Sequence, residues 1–183
     1  MNLLVNSPSG KQELITIGAG GGYFDTTRVI WDTRIDGALP AITLGGMVRV
    51  GNALVFDQAR ADQHLAPQRA AIWEAIKSLR DRKTQAGGYA VLGKWYHSDQ
   101  FSRTQQIGLV LMGAAVPVGL QWKTMDGTFV TMTAALAGQV FSAAAAADQA
   151  KFSHAESLRT AVYAATDPAS VNINAGWPAD YVA

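Results

Sequence analysis

The 183-residue chain contains no cysteine, which excludes disulfide bonds, thiolate metal sites and cysteine nucleophiles together. Charged residues are also scarce, because they make up 16% of the chain against about 25% in an ordinary soluble protein. The formal net charge of +1 gives no electrostatic reason to expect a nucleic acid or an anionic membrane as a partner. A surface with so few charges favours a protein that is partly covered by other chains.

Long apolar runs are lacking as well. The most apolar stretch, residues 107–120, is interrupted by three glycines and a proline. It is also shorter than the roughly 20 residues that a membrane span needs. The first eight residues have neither the basic start nor the apolar run of a signal peptide. Since 49% of the residues are hydrophobic, the chain can bury a real core, and we expect a soluble protein that is made in a cytoplasm.

The first 60 residues contain several short strand patterns. Two apolar runs, Leu3–Val5 and Glu13–Ile17, are joined by a series of turn formers. Thr26–Asp32 is rich in β-branched and aromatic residues, as strands are. Met47–Val50 and Ala53–Phe56 predict a hairpin, because a Gly-Asn pair separates them. We therefore expect residues 1–60 to form a small β-rich module.

A polar linker over residues 61–66 leads into a second domain, 67–183, for which we expect an α+β fold. The helical spacing of apolar residues predicts helices from Pro67 to about Lys83, from about Gln100 to Met112, and from Thr133 to about Thr166. The whole chain is thus predicted to be α+β, with a small β-rich module followed by a mixed domain of helices and hairpins.

Turn and cap residues mark the boundaries of these elements. Gly87-Gly88 is expected to end the first helix. Tyr89–Tyr96 reads as an extended pair broken at a glycine, and a second hairpin is predicted around Asp126-Gly127. Ser98 or Asp99 can cap the helix that starts near Gln100, because a short oxygen side chain accepts a hydrogen bond from an exposed backbone N–H.

The last predicted helix is the longest and contains five alanines in a row, Ala143–Ala147. Alanine favours helix and lets a neighbouring helix approach closely. Beyond this helix, Trp177 is expected to anchor an irregular tail. The apolar stripe of the helix is expected to consist of Leu136, Val140, Phe141, Phe152, Leu158 and Val162.

The glycine-rich segment Gly18–Gly22 has some features of a nucleotide-binding loop. The dinucleotide pattern needs a further glycine where this chain has Tyr23, and it needs a helix to follow. Strand-like residues follow instead, and the lysine of a P-loop is lacking. A flexible turn is therefore the better interpretation, and we expect no cofactor.

Three catalytic residue types stand side by side at His97, Ser98 and Asp99. A catalytic triad needs such residues to converge in space, which adjacency in the sequence does not provide. The other histidines, His64 and His154, do not supply the helical spacing of a zinc site. We expect no catalytic residues and no metal.

Large aromatic side chains are the remaining candidates for function, since interfaces favour aromatic residues and contain few charges. The candidates for protein contacts are Trp31, Trp95, Tyr96, His97, Trp122 and Trp177.

Two motifs flank the helix predicted near Gln100. The first motif, Gly93–Asp99, reads Gly-Lys-Trp-Tyr-His-Ser-Asp, and the second motif, Leu120–Gly127, reads Leu-Gln-Trp-Lys-Thr-Met-Asp-Gly. Together with the alanine-rich helix and Asn174–Pro178, these motifs form a pattern that extends from about Pro67 to Tyr181. This region resembles a domain of unknown function that is common in tailed bacteriophages and prophages. Its members are often labelled tail-fibre or tail-fibre-assembly proteins.

The resemblance implies a non-enzymatic component of the virion tail whose partners are tail-fibre or baseplate proteins, or copies of itself. It assigns no catalytic residues, because the family has none established. Two alternatives stay open: a tail-fibre assembly chaperone and, less favoured, a hydrolase of cell-surface glycan or peptidoglycan. The hydrolase would need a cleft with converging titratable groups. Residues 1–60 lie outside the resemblance and would suit attachment to a particular partner.

Overall fold

The computed structural model describes five segments of the chain, which comprise residues 2–6, 12–16, 31–35, 45–50 and 53–182. The chain divides into two compact units, Met1–Ala70 and Ala71–Ala183. The described residues combine helix and strand, and they include three α-helices. The mixture of helix and strand that the sequence predicts is therefore confirmed at this level.

Short antiparallel strands form two sheets in the described part of the first unit. In the first sheet β1 (Asn2–Asn6) lies between β2 (Gln12–Thr16) and β3 (Trp31–Ile35). The second sheet is a hairpin of β4 (Met47–Val50) and β5 (Ala53–Phe56). The strands β1, β2, β4 and β5 lie where the apolar runs predict them.

Two predictions for the first unit fall wholly or largely outside the described residues. The glycine-rich segment Gly18–Gly22 lies outside them entirely. Of the predicted strand Thr26–Asp32, the structure describes Trp31 and Asp32, and both belong to β3.

The first helix, α1 (Gln58–Ala86), begins earlier than the predicted start at Pro67. Asp57 explains the early start, because its Oδ1 accepts a hydrogen bond from the backbone N–H of Arg60 over an N···O distance of 3.1 Å. This is the geometry of a helix N-cap. Residues 61–66, for which the sequence predicts a linker, are therefore helical.

Helices and short hairpins alternate along the second unit. After the C-terminal part of α1 come β6 (Tyr89–Val91), β7 (Lys94–Tyr96), α2 (Gln100–Met112), β8 (Gln121–Lys123), β9 (Phe129–Thr131) and α3 (Ala134–Ala164). The pairs β6–β7 and β8–β9 are antiparallel two-stranded sheets. Both hairpins and both helices are confirmed in the positions that the sequence predicts, and Gly87-Gly88 follows the end of α1 as expected.

Side-chain caps fix the starts of the last two helices. The Oδ1 of Asp99 accepts from the backbone N–H of Ser102 at 2.9 Å, which caps α2. The Oγ1 of Thr133 accepts from the backbone N–H of Leu136 at 3.1 Å, which caps α3. Each cap satisfies a backbone donor that the first helical turn leaves unpaired. Of Ser98 and Asp99, the two caps that the sequence offers for α2, the structure has Asp99 in that role.

Two clusters of buried side chains form the core of the second unit. The first cluster draws on both hairpin regions, α2 and α3, and consists of Tyr89, Tyr96, Leu109, Met132, Ala137, Val140 and Ala144. The second joins α1 to α3 and consists of Ile76, Ala155, Leu158 and Val162. Burying one aliphatic side chain of this size contributes about 1.5 to 3 kcal/mol. The first cluster fixes α2 against the hairpins and so positions the site described below.

The apolar stripe predicted for α3 is partly wrong. Phe141 and Phe152 are 46% and 47% exposed, whereas Ala137 and Ala144 are buried. Both alanines share the first core cluster with Leu109 of α2. Small side chains let the two helices approach closely, so alanines occupy the contact while the larger rings stay at the surface.

Candidate protein-binding groove

The two sequence motifs meet in the structure. The Nζ of Lys94 in β7 lies 2.7 Å from Oδ2 of Asp126 and 2.8 Å from Oγ1 of Thr128, in and after the turn between β8 and β9. The backbone N–H of Met125 donates to the carbonyl oxygen of Trp95 at 2.9 Å. The motifs therefore hold hairpin β6–β7 against hairpin β8–β9.

The turn of the second hairpin is built around the Asp126 carboxylate. Its Oδ1 accepts from the hydroxyl of Thr124 at 2.6 Å and from the backbone N–H of Thr128 at 3.0 Å. The ion pair with Lys94 and these hydrogen bonds hold the pKa of the Asp126 carboxyl well below its ordinary value. The carboxylate therefore has a structural role in the turn.

The central residues of the first motif have structural roles too. Ser98 is 2% exposed, and its Oγ accepts from the backbone N–H of Gly88 at 2.9 Å. The carbonyl oxygen of Ser98 accepts from Nε of Arg103 at 2.6 Å. Asp99 caps α2, and hydrogen bonds from the hydroxyl and backbone N–H of Ser102 lower the pKa of its carboxyl. These contacts explain Ser98 and Asp99 by structural roles, without a catalytic one.

A groove of about 730 Å³ opens beside His97 of the first motif, between α2 and the hairpin β8–β9. Its walls are mainly apolar. The α2 wall includes Phe101, Leu109 and Met112, and the hairpin wall includes Leu120, Trp122 and Phe129. Phe101 and Phe129 are 72% and 62% exposed, so large apolar side chains face solvent on both sides of the groove.

Polar side chains complete the lining of the groove. They are those of His97, Ser102, Gln105, Gln121 and Lys123. Among the lining residues the only formally charged side chain is that of Lys123, and no carboxylate is present. The groove is therefore suited to an apolar ligand surface with a few hydrogen-bonding groups.

The indole of Trp122 forms part of the hairpin wall and packs against the first core cluster. Its Nε1 is enclosed and has no hydrogen-bond partner within the described residues. A buried donor without an acceptor is rare, and it costs about 1 to 3 kcal/mol. Because its ring forms part of the groove wall and also contacts the core cluster, Trp122 is the strongest candidate of those that the sequence singled out.

His97 also lines the groove, and its side chain is half-buried. Its carbonyl oxygen accepts from Nε2 of Gln106 at 3.1 Å, which fixes the backbone against α2. Within the described part of the chain, its imidazole makes no hydrogen bond or ion pair. The structure therefore brings two of the predicted residues, His97 and Trp122, to one site.

Trp177 has a role inside its own unit. Its Nε1 donates to the carbonyl oxygen of Ile173 at 2.8 Å, and the ring of His154 meets it edge-on with 4.7 Å between centroids. The indole packs against the second core cluster. Trp177 thus anchors the tail to α3, as the sequence predicts, and lies apart from the groove lining.

Two more of the predicted residues, Trp95 and Tyr96, do not line the groove either. Trp95 is half-buried, with its ring 6.2 Å from that of Tyr181. Tyr96 is 1% exposed in the first core cluster, so its ring cannot reach a partner while the unit is folded. The side chain of Trp31 lies outside what the structure describes.

Sequence reasoning missed several residues of the site, above all Phe101, Met112 and Phe129. The signal was present in the uncharged stretch 107–120 and in the apolar residues on either side of it. The length of that stretch argues against a membrane span, but an uncharged helix on the surface also indicates an interface.

Some kinds of site are not found in the described residues. That part of the chain contains no group of three or more histidine, aspartate or glutamate side chains placed to hold a metal ion. It also contains no helix that combines the length and the apolar character needed to cross a membrane.

Comparison with curated proteins and with solved structures gives no match. A protein family described as "Domain of unknown function (DUF4376)" matches residues 67–175. The match covers more than half of the chain and includes both motifs and the whole groove. The resemblance to a domain of unknown function is thereby confirmed, and the chain belongs to the DUF4376 family.

Proposed function

We propose that this chain is a non-enzymatic component of a bacteriophage tail, associated with the tail fibre or the baseplate, and that it acts through protein–protein contacts. The observation that carries the proposal is the apolar groove, whose walls expose Phe101, Met112 and Phe129. Interface cores are enriched in aromatic residues and methionine and depleted of charge. We propose the tail as the setting because both motifs resemble those of a domain found in tail-fibre proteins.

The chemistry of the groove supports a binding role over hydrolysis. Hydrolysis would need titratable groups that converge on a cleft. The groove lining offers His97 and Lys123 without a carboxylate, while the nearby Ser98 and Asp99 are engaged in hydrogen bonds within the fold. A groove with exposed aromatic rings and no acid–base pair is better suited to binding another protein than to hydrolysing a substrate.

Mass spectrometry of purified particles tests the setting. Phage particles from a host that carries the gene are banded in a density gradient, washed in high salt and digested. The proposal expects peptides of this chain in the washed particles, in constant ratio to a known tail protein. If the chain binds the fibre in lysates but is missing from washed particles, it is an assembly chaperone. If neither occurs, the tail proposal is wrong.

A matched pair of substitutions tests the groove. Phe129 and Phe141 are both exposed phenylalanines of the second unit, but only Phe129 lines the groove. We expect Phe129→Ala to weaken capture of the tail fibre or baseplate protein at least about tenfold, which corresponds to 1.4 kcal/mol. Phe141→Ala should bind as the wild type does. Equal binding by the two variants would exclude the groove as the contact.

A further inference from the structure

We infer that the groove takes an extended segment of its partner, which adds as a third strand to the free edge of β8 and places a carboxylate beside Lys123. The inference rests on the proposed function, because it names the form and the charge of the partner segment in the same groove. Addition of a strand to an exposed sheet edge is a recurring mode by which one protein holds a segment of another.

Hydrogen bonds between β8 and β9 follow the alternation of an antiparallel ladder. Just before β8, the carbonyl oxygen of Leu120 accepts from the backbone N–H of Met132 at 2.7 Å. Just after β8, the backbone N–H of Thr124 donates to the carbonyl oxygen of Thr128 at 2.9 Å. Because bonded and non-bonded pairs alternate along such a ladder, Trp122 is the residue of β8 whose backbone bonds to β9.

The other two residues of β8 turn their backbone groups away from β9. They are Gln121, which is opposite Thr131, and Lys123, which is opposite Phe129. Within the described residues, no hydrogen bond from another element reaches the backbone N–H or C=O of Gln121 or Lys123. The outer edge of β8 therefore presents two donors and two acceptors, in the pattern that one further strand would match.

The groove runs along this edge. Successive side chains of a strand point to opposite faces of its sheet. All four residues of the stretch 120–123 nevertheless line the groove, so the groove touches both faces of β8 and lies beside its edge. The opposite wall is α2, where Gly108 presents no side chain to the groove. An added strand would thus lie between β8 and α2, with its apolar side chains against the walls described above.

Lys123 gives the groove its charge, and it has no counterion within the described residues. Most basic side chains of the second unit do pair with a carboxylate, namely those of Lys77, Arg80, Lys83, Lys94, Arg103, Lys151 and Arg159. Arg82 also has no such pair in the described part of the chain, but it does not line the groove. A carboxylate on the added strand would complete the charge pairing at Lys123, and such complementarity selects a partner.

The same lysine disfavours pairing of β8 with the β8 of another copy. Lysine on an exposed edge is one of the means by which proteins oppose unwanted strand pairing. Two β8 edges would bring two Lys123 cations into one short contact, whereas an acidic segment of a different protein gains an ion pair. The free edge is therefore suited to a foreign strand.

A matched pair of proline substitutions tests the strand addition on the full chain. Proline lacks the N–H and is tolerated where an edge strand turns that group outward. Gln121→Pro removes an outward donor beside the groove, and Thr131→Pro removes one at the opposite edge of the hairpin. Both variants lose the hydrogen bond from Nε2 of Gln121 to Oγ1 of Thr131, so they are matched in that respect. Circular dichroism and a thermal melt check that both fold.

The probes are two sets of short synthetic peptides. One set consists of overlapping segments of the tail-fibre and baseplate proteins of the same phage. The other is a designed strand of alternating valine and threonine with a central aspartate, made also with asparagine at that position. Fluorescence anisotropy measures binding up to about 1 mM chain. We expect the bound peptides to be acidic and to bind Gln121→Pro at least about tenfold more weakly than the wild type or Thr131→Pro.

The charge is tested with Lys123→Gln against Arg82→Gln. An ion pair at the edge of a groove is worth up to about 1 kcal/mol, or roughly fivefold in affinity. We expect asparagine in place of the aspartate to weaken binding to the wild type and to Arg82→Gln by about this factor. Binding to Lys123→Gln should be the same for both peptides. A loss that is equal in all three proteins would overturn the pairing with Lys123.

Hydrogen exchange measured by NMR gives a readout that needs no substitution. In the free chain the backbone amides of Gln121 and Lys123 should exchange faster than that of Trp122, because only Trp122 bonds to β9. A bound peptide should slow exchange at Gln121 and Lys123 at least about tenfold and leave Thr131 unchanged.

The outcomes separate this inference from the proposed function. Equal binding by both proline variants, unchanged exchange at Gln121 and Lys123, or no peptide bound up to about 1 mM would overturn the strand addition. If a folded tail protein is still captured in that case, and Phe129→Ala weakens its capture, the proposed function stands. If the designed aspartate peptide adds to β8 but no tail protein or tail peptide binds, the function is wrong and the strand site remains.

Discussion

Lys94 and Asp126 are 32 residues apart in the chain, and the structure joins them through an ion pair of 2.7 Å between Nζ and Oδ2. This pair explains why the two motifs occur together, since each supplies half of one contact between hairpins. Both side chains are more than a third exposed, so the pair contributes little as an isolated ion pair. Its importance lies in the position that it gives β8 and β9, which form one wall of the groove.

The Asp126 carboxylate gives a prediction about pH. Because the pKa of this carboxyl is lowered in the folded chain, its contribution to stability is present in full above the ordinary value of 3.8. The contribution declines as the pH falls below 3.8, and it is lost below the pKa of the folded state. Urea unfolding should therefore show wild type more stable than Asp126→Asn at about pH 7, with a smaller difference near pH 3.

A control for that experiment is Asp81→Asn. Asp81 is exposed and pairs with its neighbour Arg80 at 2.7 Å, with no role in a hairpin. We expect this variant to follow the wild type much more closely at both pH values. A difference for Asp126→Asn that does not shrink on acidification would show that the charge of Asp126 is not what stabilises the turn.

Tyr89 gives a prediction at alkaline pH. Burial raises the pKa of the Tyr89 phenol to about 12, and its hydroxyl donates to Oε1 of Gln106 inside the first core cluster. The stability that depends on the neutral phenol is complete below pH 10.0 and is lost as the pH rises towards 12. Ultraviolet titration at neutral to alkaline pH should show tyrosine ionisation that extends to about 12, and Tyr89→Phe should reduce the absorbance change near 12. Burial also raises the pKa of Tyr96, so that residue adds to the delayed ionisation in both proteins.

The same variant should be less stable at neutral pH. Tyr89→Phe leaves Oε1 of the buried Gln106 without the phenol as donor, which costs about 1 to 3 kcal/mol. Urea unfolding measures this loss. Tyr163→Phe is the matched control, because Tyr163 is 45% exposed and outside the core. Equal stability of the two variants would contradict the hydrogen bond as a core contribution.

Lys151 is a buried lysine that ties α3 to the end of α1. It is 1% exposed, and its Nζ donates to the carbonyl oxygen of Lys83 at 2.8 Å, with Oδ1 of Asp180 at 3.9 Å. Lys151→Met keeps most of the side-chain volume but leaves that carbonyl without its donor, and should cost about 1 to 3 kcal/mol. Lys151→Ala also leaves a cavity and should cost about 3 to 5 kcal/mol.

Denaturant unfolding measures these losses against Lys77→Met. Lys77 pairs with Glu74 on the surface of α1, so its removal should change the free energy of unfolding by less than about 1 kcal/mol. Burial lowers the pKa of the Lys151 ammonium, which means that the buried cation opposes folding to some extent. A Lys151→Met variant as stable as the wild type would contradict the predicted loss and show that the hydrogen bond does not outweigh the burial of the cation.

Local signals predict most of the second unit because they act over a few residues. Caps such as Asp99 and turns such as Asp126-Gly127 depend on neighbouring backbone groups, and the structure has them where the sequence indicates. The predicted start of α1 is wrong because Pro67 lies inside the helix and is not its first residue. Proline in a helix removes one backbone hydrogen bond. The ion pair from Arg69 to Asp62, at 2.8 Å, spans that position and favours the helix on both sides.

The groove could be predicted only in part because it depends on contacts between distant residues. The motifs point to His97 and Trp122, but the exposure of Phe101 and Phe129 follows from how α2 meets the second hairpin. Side-chain size alone is a poor guide to that packing. Tyr96 is the opposite case, because its size makes it a candidate for an interface, whereas the structure buries it in the core.

Gly88 is expected to be the most sensitive glycine of the two hairpins. Its φ is +71°, and a Cβ built there would overlap the Sδ of Met125 and lie 3.0 Å from the carbonyl oxygen of Tyr96. Gly88→Ala therefore combines left-handed backbone strain with steric overlap and should cost about 3 kcal/mol. Thermal and urea unfolding measure the loss.

Gly93→Ala separates the two causes. Gly93 has a φ of +75°, but a Cβ built on it would have no atom of the described chain within 4 Å, so alanine there brings strain alone, about 1 to 2 kcal/mol. In a Met125→Ala background the overlap at Gly88 is relieved, because the thioether is gone, while the strain persists. Gly88→Ala should then cost about as much as Gly93→Ala does. If Gly88→Ala still costs about 3 kcal/mol in the Met125→Ala background, overlap with Met125 does not explain the glycine. The contact with the carbonyl oxygen of Tyr96 would then be the reason.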